Sequence, residues 1–222
     1  IVMPLSKVDF NVLTGKIKDY SGIVIGDDKE YLLESRLMPI ARKYGLGDLA
    51  DLVMYMQENK SEALLIEVIE GMTTNESFFF RDLKPFDYLR DKILPEIFAK
   101  CPEKNKFRIW SAASSTGQES YSIAMTLMEA ASCKDKKFEI YATDIDINVV
   151  EKAREGLYSQ FEVQRGVPIN LLIKYFTQEG DQWRVKGDVK QLIKFDKFNL
   201  LGNPAALGMF DIVFCRNVLI YF

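Results

Sequence analysis

The chain contains no histidine among its 222 residues. Imidazole triads, imidazole proton shuttles and histidine metal sites are thereby excluded, and any chemistry must run on carboxylates, cations, hydroxyls and backbone groups. Cysteine is scarce. Cys101, Cys133 and Cys215 are far apart, odd in number and form no CxxC pair, which suits a reducing compartment and no metal site. No apolar run reaches 18 residues, and the start IVMPLSKVDF has neither a secretory h-region nor a cleavage site, so a cytoplasmic protein is expected. A basic excess is also missing. Net charge is −3; residues 1–75 hold eight basic and twelve acidic side chains, and the remainder twenty-one and twenty, which speaks against a nucleic-acid binder. What is present is a globular composition, 48% hydrophobic and 27% charged, long enough for one large or two small domains.

Residues 1–71 read as helical. Phe10, Leu13 and Ile17 are spaced three and four apart, and Leu33, Leu37, Ile40 and Tyr44 repeat the pattern before Gly45. Asp48 and Ser61 stand where N-caps would open two more helices, and Pro39 is expected to kink or split the second one. Arg36 and Lys43 share one helix face, either a solvated face or a basic strip for an acidic partner. In the junction MTTNESFFFRD, Thr73 and Glu76 fit a capping box and the three phenylalanines fit a core. Arg81 has either a plain structural role or that of a bidentate clamp on a carboxylate. A helix with Phe86, Leu89, Ile93 and Ile97 follows, then a loop over 100–106.

Next comes an α/β pattern: strand 107–113, helix 118–131, strand 138–143, and helix 148–155 closed by Gly156. Such alternation implies a parallel sheet with right-handed crossovers. A short helix is expected from Pro168 to 176. QWRVKG and VKQLIKFDKFNL then read as two strands joined through Gly187, a hairpin-like insertion at about 182–198. FDIVFCRN, 210–217, is a further buried strand. Ligands bind where such strands end. There Ala113, Ser115 and Gly117 allow close backbone approach, while Glu119 and Asp144 place two carboxylates beside the opening, as an adenosine compound would need. The ASSTG turn lacks the G-x-G-x-x-G spacing, which weakens a dinucleotide. Asp144 can hold ribose hydroxyls or cap the helix that follows it.

MTTNESFFFRD, WSAASSTGQESYSIA, YATDID, KFNLL and FDIVFCRNVLIYF, in this order, resemble the chemotaxis receptor methyltransferases (CheR type), which are S-adenosylmethionine-dependent protein-glutamate O-methyltransferases. The resemblance spans essentially the whole chain. It implies an α/β fold: a small all-helical N-terminal domain (1–71), then a Rossmann-like class I methyltransferase domain (72–222) with a small antiparallel β-subdomain insertion. It also implies C-terminal truncation, because class I sheets continue with three more strands.

By resemblance, Asn75, Ser77 and Arg81 lie over the methionine end of the cofactor, with Arg81 on its carboxylate. Glu119 faces the amino or sulfonium end, Ala113 and Gly117 form the turn, Asp144 holds the ribose, and Asn199 and Leu200 border the adenine. Arg216 and Asn217 sit beside the transferred methyl, and Tyr221 stands near the acceptor. The family usually has threonine at Ser77 and glutamate at Gln118.

The implied reaction methylates glutamates of chemoreceptor methylation helices and leaves S-adenosylhomocysteine. A glutamate of pKa about 4.3 is ionised at neutral pH and needs no general base, in keeping with the missing histidine. The implied partners exclude nucleic acid and direct membrane insertion; Arg36 and Lys43 would meet the receptor helices, and a tethered receptor tail peptide is not required. The alternative is an S-adenosylmethionine-binding adaptor that turns over weakly or not at all. A small-molecule methyltransferase is disfavoured by the helical front domain and the β insertion.

Overall fold

A computed structural model describes residues 5–222. Residues 1–4, part of the start in which no secretory h-region is expected, lie outside the described residues. Two compact units are present, the chain up to Thr74 with Asn217–Phe222, and Asn75–Arg216.

In the first unit, apolar residues three and four apart give one buried stripe on each of α1 (Lys7–Ser21), α2 (Glu30–Lys43), α3 (Leu49–Asn59) and α4 (Glu62–Met72). Side-chain oxygens of Ser6, Asp48 and Ser61 accept the amides of Asp9 (3.1 Å), Asp51 (2.9 Å) and Leu64 (3.3 Å), so α1, α3 and α4 start at N-caps. Phe10, Leu13 and Ile17, then Leu33, Leu37 and Ile40, are buried. At Gly71, α4 approaches α2 so closely that a Cβ would stand 2.9 Å from Ile40 Cδ1. The final 3-10 turn, Leu219–Tyr221, also belongs here, and the Tyr221 carbonyl accepts the Val24 amide at 2.8 Å.

Two expectations change in this region, and two residues of the expected docking strip have partners within the unit. Pro39 does not split α2, which runs unbroken from Glu30 to Lys43. The carbonyl that loses its donor is that of Ser35, an exposed residue where water can serve, and the buried residues Leu37, Ile40 and Ala41 hold the helix on either side. The Thr73–Glu76 capping box does not form, because residues 73–78 are extended coil. Thr73 Oγ1 instead donates to the Glu70 carbonyl at 2.7 Å and finishes α4. Finally, Arg36 and Lys43 are engaged within the unit. Arg36 donates to the Met72 and Thr73 carbonyls at 2.9 and 3.2 Å, covering the C-terminus of α4, while Lys43 pairs with Glu67 at 2.7 Å.

In the second unit, an uneven helix opens the chain: α5 (Lys84–Tyr88), a π turn (Leu89–Ile93) and α6 (Leu94–Lys100). It leads into β1 (Lys106–Ala112), α7 (Gln118–Glu129), β2 (Lys137–Asp144) and α8 (Ile147–Glu155). With β6 (Ile193–Lys197) and β7 (Ile212–Cys215), the strands form a parallel sheet in the order β6-β2-β1-β7. Ile109 stands opposite both Ile140 and Ile212, and Ile140 opposite Ile193, an aliphatic row across the sheet. Among the described residues β7 is an edge strand. α7 is buried on nearly every side, against β2, β6, α5 and the π turn, which is why Ser120, Ser122 and Ala124 sit among its apolar residues.

The insertion is not the expected hairpin over 182–198. A separate antiparallel sheet, ordered β3-β5-β4, consists of β3 (Leu157–Ser159), β4 (Phe176–Glu179) and β5 (Gln182–Val185). It is interleaved with α9 (Gln160–Gln164) and α10 (Ile169–Tyr175). The segment past Gly187 forms a helical turn, α11 (Gly187–Lys190), and then strand β6, whose alternating Ile193 and Phe195 pack beside β2 in the main sheet. Two apolar runs around a glycine resemble a hairpin locally, but only the second has a buried parallel neighbour to join.

Arg36→Met should lower stability by roughly 1.5–3 kcal/mol, since a charged donor to two helix-end carbonyls is lost. A reduced denaturant midpoint with an unchanged m-value would show it.

Candidate functional site

β1 runs into the turn 113–117, where Ala113, Ser115 and Gly117 take positive φ of 55°, 50° and 96°. Glycine is required at 117 twice over: for this backbone, and because a Cβ would stand 2.9 Å from Ala153 Cβ and 3.1 Å from the Tyr158 hydroxyl. Alanine and serine rarely adopt such φ, so neighbouring contacts must hold them. Ser114 N donates to the Thr143 carbonyl at 2.9 Å, Ser115 N to Asp144 Oδ2 at 2.8 Å, and Ser115 Oγ to the Asn75 carbonyl at 2.8 Å.

Asp144 ends β2 and is 6% exposed. Its Oδ1 accepts the Asp146 amide at 3.1 Å, and the cap of α8 is Asp146, which takes the Asn148 amide at 2.8 Å. By sequence Asp144 is either a cap or a ligand residue; the structure gives the capping to Asp146. Burial raises the Asp144 pKa above the ordinary carboxylate value, and the backbone donors only partly offset that. The Ile145 amide is a third backbone donor to this carboxylate, which leaves room for about one further donor. Asn75 Nδ2 donates to Asp146 Oδ2 at 2.9 Å, so the coil before the triple phenylalanine closes on the same strand ends. Phe198 N donates to the Asp144 carbonyl at 2.8 Å, which brings the half-buried Asn199 and Leu200 beside this end of β2.

A second cluster lies at the start of α7. Glu119 accepts Ser111 Oγ at 2.9 Å and Arg216 at 3.0 Å. Its pKa is raised by burial, against the lowering pull of Ser111 and Arg216. Arg216, just past β7, also donates to Asp82 at 2.6 Å and to the Arg81 carbonyl at 3.0 Å. Phe80, Asp82 and Leu83 all have positive φ, so the FFFRDL segment is a strained turn that this guanidinium holds. The Arg81 side chain lies over the Phe78 ring at 5.4 Å and donates to the Glu76 carbonyl at 3.3 Å; the opposing carboxylates nearby go to Arg165 and Arg216.

Of the residues singled out from sequence, the second unit brings together Asn75, Ala113, Gly117, Asp144, Asn199 and Leu200 around one strand end, and Arg81, Glu119 and Arg216 around the next. Ser77 is half-buried in the coil that carries Asn75. Asn217 and Tyr221 group with the helical unit instead; Asn217 has φ of 56°. Sequence reasoning missed Ser111, Asp82, Asp146 and the Ser115 hydroxyl. Ser111 was findable as the residue of β1 that faces the first turn of the following helix. Asp82 gave no signal beyond standing next to Arg81.

These groups suit S-adenosylmethionine. A buried carboxylate with room for a further donor matches a ribose hydroxyl, a second matches a cationic or amino group, and a guanidinium whose polar partner is a carbonyl matches a carboxylate. The turn also holds Ser114 Oγ, buried without a hydrogen-bond partner among the described residues. Nothing in the set supplies a neutral base, so the arrangement fits transfer to a nucleophile that is already ionised.

Comparison with known proteins agrees at every scale. Residues 75–222 match the family described as CheR methyltransferase, SAM binding domain, and residues 8–73 match CheR methyltransferase, all-alpha domain. The chain is 41% identical to a "Chemotaxis protein methyltransferase" of Vibrio parahaemolyticus, covering 98% of this chain and 80% of that protein. It is 41% identical to "Chemotaxis protein methyltransferase 1" of Vibrio cholerae, covering 93% and 75%. With a "Chemotaxis protein methyltransferase" of Escherichia coli the identity is 33%, over 99% and 76%. With both of its domains matched in order and its strand-end carboxylates in place, the chain belongs to the CheR methyltransferase family.

Proposed function

We propose that this protein transfers a methyl group from S-adenosylmethionine to glutamate side chains of chemoreceptors, giving methyl esters and S-adenosylhomocysteine in the cytoplasm. It is an S-adenosylmethionine-dependent methyltransferase of chemotaxis, as its family and the names of its relatives indicate. The observation that carries the reading is the pair of carboxylates, Asp144 buried and Glu119 mostly buried, at adjacent strand ends in a protein without histidine.

When bound, the cofactor supplies an electrophilic methyl on a sulfonium. Asp144 accepts the ribose hydroxyls, Asn199 and Leu200 border the adenine, and Arg81, with Asn75 and Ser77, receives the methionine end. Ala113 and Gly117 let the backbone approach, and Glu119 faces the amino or sulfonium end. Arg216 orients the receptor carboxylate. Its charge is already shared with Glu119 and Asp82, so it steers the nucleophile without binding it so tightly that its reactivity falls. Asn217 and Tyr221 are acceptor-side residues on the strength of the resemblance. Alignment and exclusion of water are then the main tasks, worth up to roughly 7–11 kcal/mol.

Receptor methylation helices are the protein substrate. The β4–β5 turn consists only of Gly180 and Asp181, with no added loop, which supports docking that does not need a receptor tail peptide. Tight binding of such a peptide in calorimetry would overturn this point.

Asp144→Asn should weaken S-adenosylmethionine binding by about 10- to 100-fold, the loss of hydrogen bonds to a charged acceptor, while kcat at saturating cofactor changes less. Because burial raises the Asp144 and Glu119 pKa values, both carboxylates take up protons at higher pH than ordinary ones. The ionised forms are those that face the cofactor. Affinity should therefore fall on mild acidification, with proton release on binding, measurable by calorimetry in buffers of different ionisation enthalpy; Asp144→Asn should flatten that dependence.

The direct test is transfer of labelled methyl to receptor-enriched membranes. A base-labile ester is expected, absent with receptors whose methylation-site glutamates are replaced by alanine. Cofactor binding without any transfer would favour the adaptor.

A further inference from the structure

The opposite pole of the parallel sheet holds a cleft of about 860 Å³, where β1, β2 and β6 begin and α7 ends. β2 is eight residues long, which puts about 23 Å between this pole and Asp144 at ~3.3 Å per residue. Five lysines, Lys106, Lys134, Lys136, Lys137 and Lys194, line the cleft against a single acid, Glu139. In a chain of net charge −3 this is a local reversal of sign. Glu139 does not cancel it, being shared between Lys106 at 2.8 Å and Arg108 at 3.0 Å. Lys136 donates to the Lys104 carbonyl at 3.0 Å, and Lys194 stands over the Tyr141 ring with Asp196 at 4.0 Å. Lys134 and Lys137 are exposed and form no ion pair among the described residues; Asp135 lies between them in sequence but not in the lining.

The floor between these ammonium groups is apolar. Leu127, Phe138 and Ile193 line it with the buried Cys133. A volume within about 300–1,000 Å³ suits a small ligand. Clustered like charges repel unless an anion lies among them. Lysine is a common phosphate binder as a point charge, and several lysines around one cleft match the multiple oxygens and multiple negative charge of a phosphate group. We propose that this cleft binds a phosphate-bearing organic anion, its phosphates on the lysine rim and its organic part on the apolar floor, apart from the methyl-transfer end. The phosphate can come from a free nucleotide or from a phospholipid headgroup.

The full chain is titrated calorimetrically with GTP and with tripolyphosphate, and sedimented with phosphatidylglycerol or phosphatidylcholine vesicles. GTP, which lacks the adenine of the methyl donor, should bind saturably at one site if the source is a nucleotide. Selective sedimentation with phosphatidylglycerol identifies a headgroup. Either response should weaken at least tenfold in Lys134→Glu/Lys137→Glu and stay unchanged in Asp144→Asn. Where the reversal disturbs the thermal melt, Lys134→Gln/Lys137→Gln replaces it, with a loss of about threefold or more expected. The proposal falls if neither probe responds. It also falls if tripolyphosphate binds as tightly as GTP without vesicle binding, which would leave the floor unused, or if the response survives the lysine substitutions.

Discussion

Asp144 takes backbone amides from Ser115 and Asp146 while almost wholly withdrawn from water, and the candidate site depends on that arrangement. Burying a carboxylate without a cation is unfavourable by several kcal/mol, and its backbone amide donors recover only a fraction of it. The remainder shows as a raised pKa. In exchange, the Ser115 amide is fixed, and with it a turn whose Ala113 and Ser115 hold backbone angles they would otherwise avoid. Asn75 is then drawn to the same place through Ser115 and Asp146. The carboxylate thus organises a loop, a strand end and the entry coil at the cost of local stability, as functional sites often do.

Arg216 has the corresponding role at the neighbouring strand end. Its guanidinium joins the end of β7 to the start of α7 and to the strained turn after the triple phenylalanine. Glu119 and Asp82 together outweigh its single positive charge. In the proposed reaction a receptor carboxylate beside this group would be oriented by the guanidinium's directional donors and not by a net positive charge. The sulfonium of the bound cofactor would supply the attraction, and the substrate's own ionisation would supply the nucleophile.

The helices of the first unit were legible because their signals are local. Caps at Asp48 and Ser61, and the three-four spacing of Phe10, Leu13 and Ile17, depend on residues one or two turns apart. The order β1, α7, β2, α8 was legible for the same reason. Thr73 and Glu76 misled because a capping box is a short pattern, and Arg36, 37 residues earlier, claimed the adjoining carbonyls for the end of α4. Gly187 misled because an antiparallel turn and a crossover can share one local sequence.

The sequence by itself determined the residue types at the strand ends, the absence of imidazole, and the family pattern that joins TNESFFFR, ASSTGQE, YATDID and CRN. It determined them because those features are chemical identities in a fixed order. Only the tertiary structure decided which carboxylate caps α8 and which stays available, that Ser111 and Asp82 share Glu119 and Arg216, and that β6 joins the parallel sheet while β3, β4 and β5 form their own. Most of these rest on pairings between residues far apart in sequence, such as Ser115 with Asp144 and Arg216 with Asp82, where burial and hydrogen-bond geometry choose among partners that look equivalent along the chain.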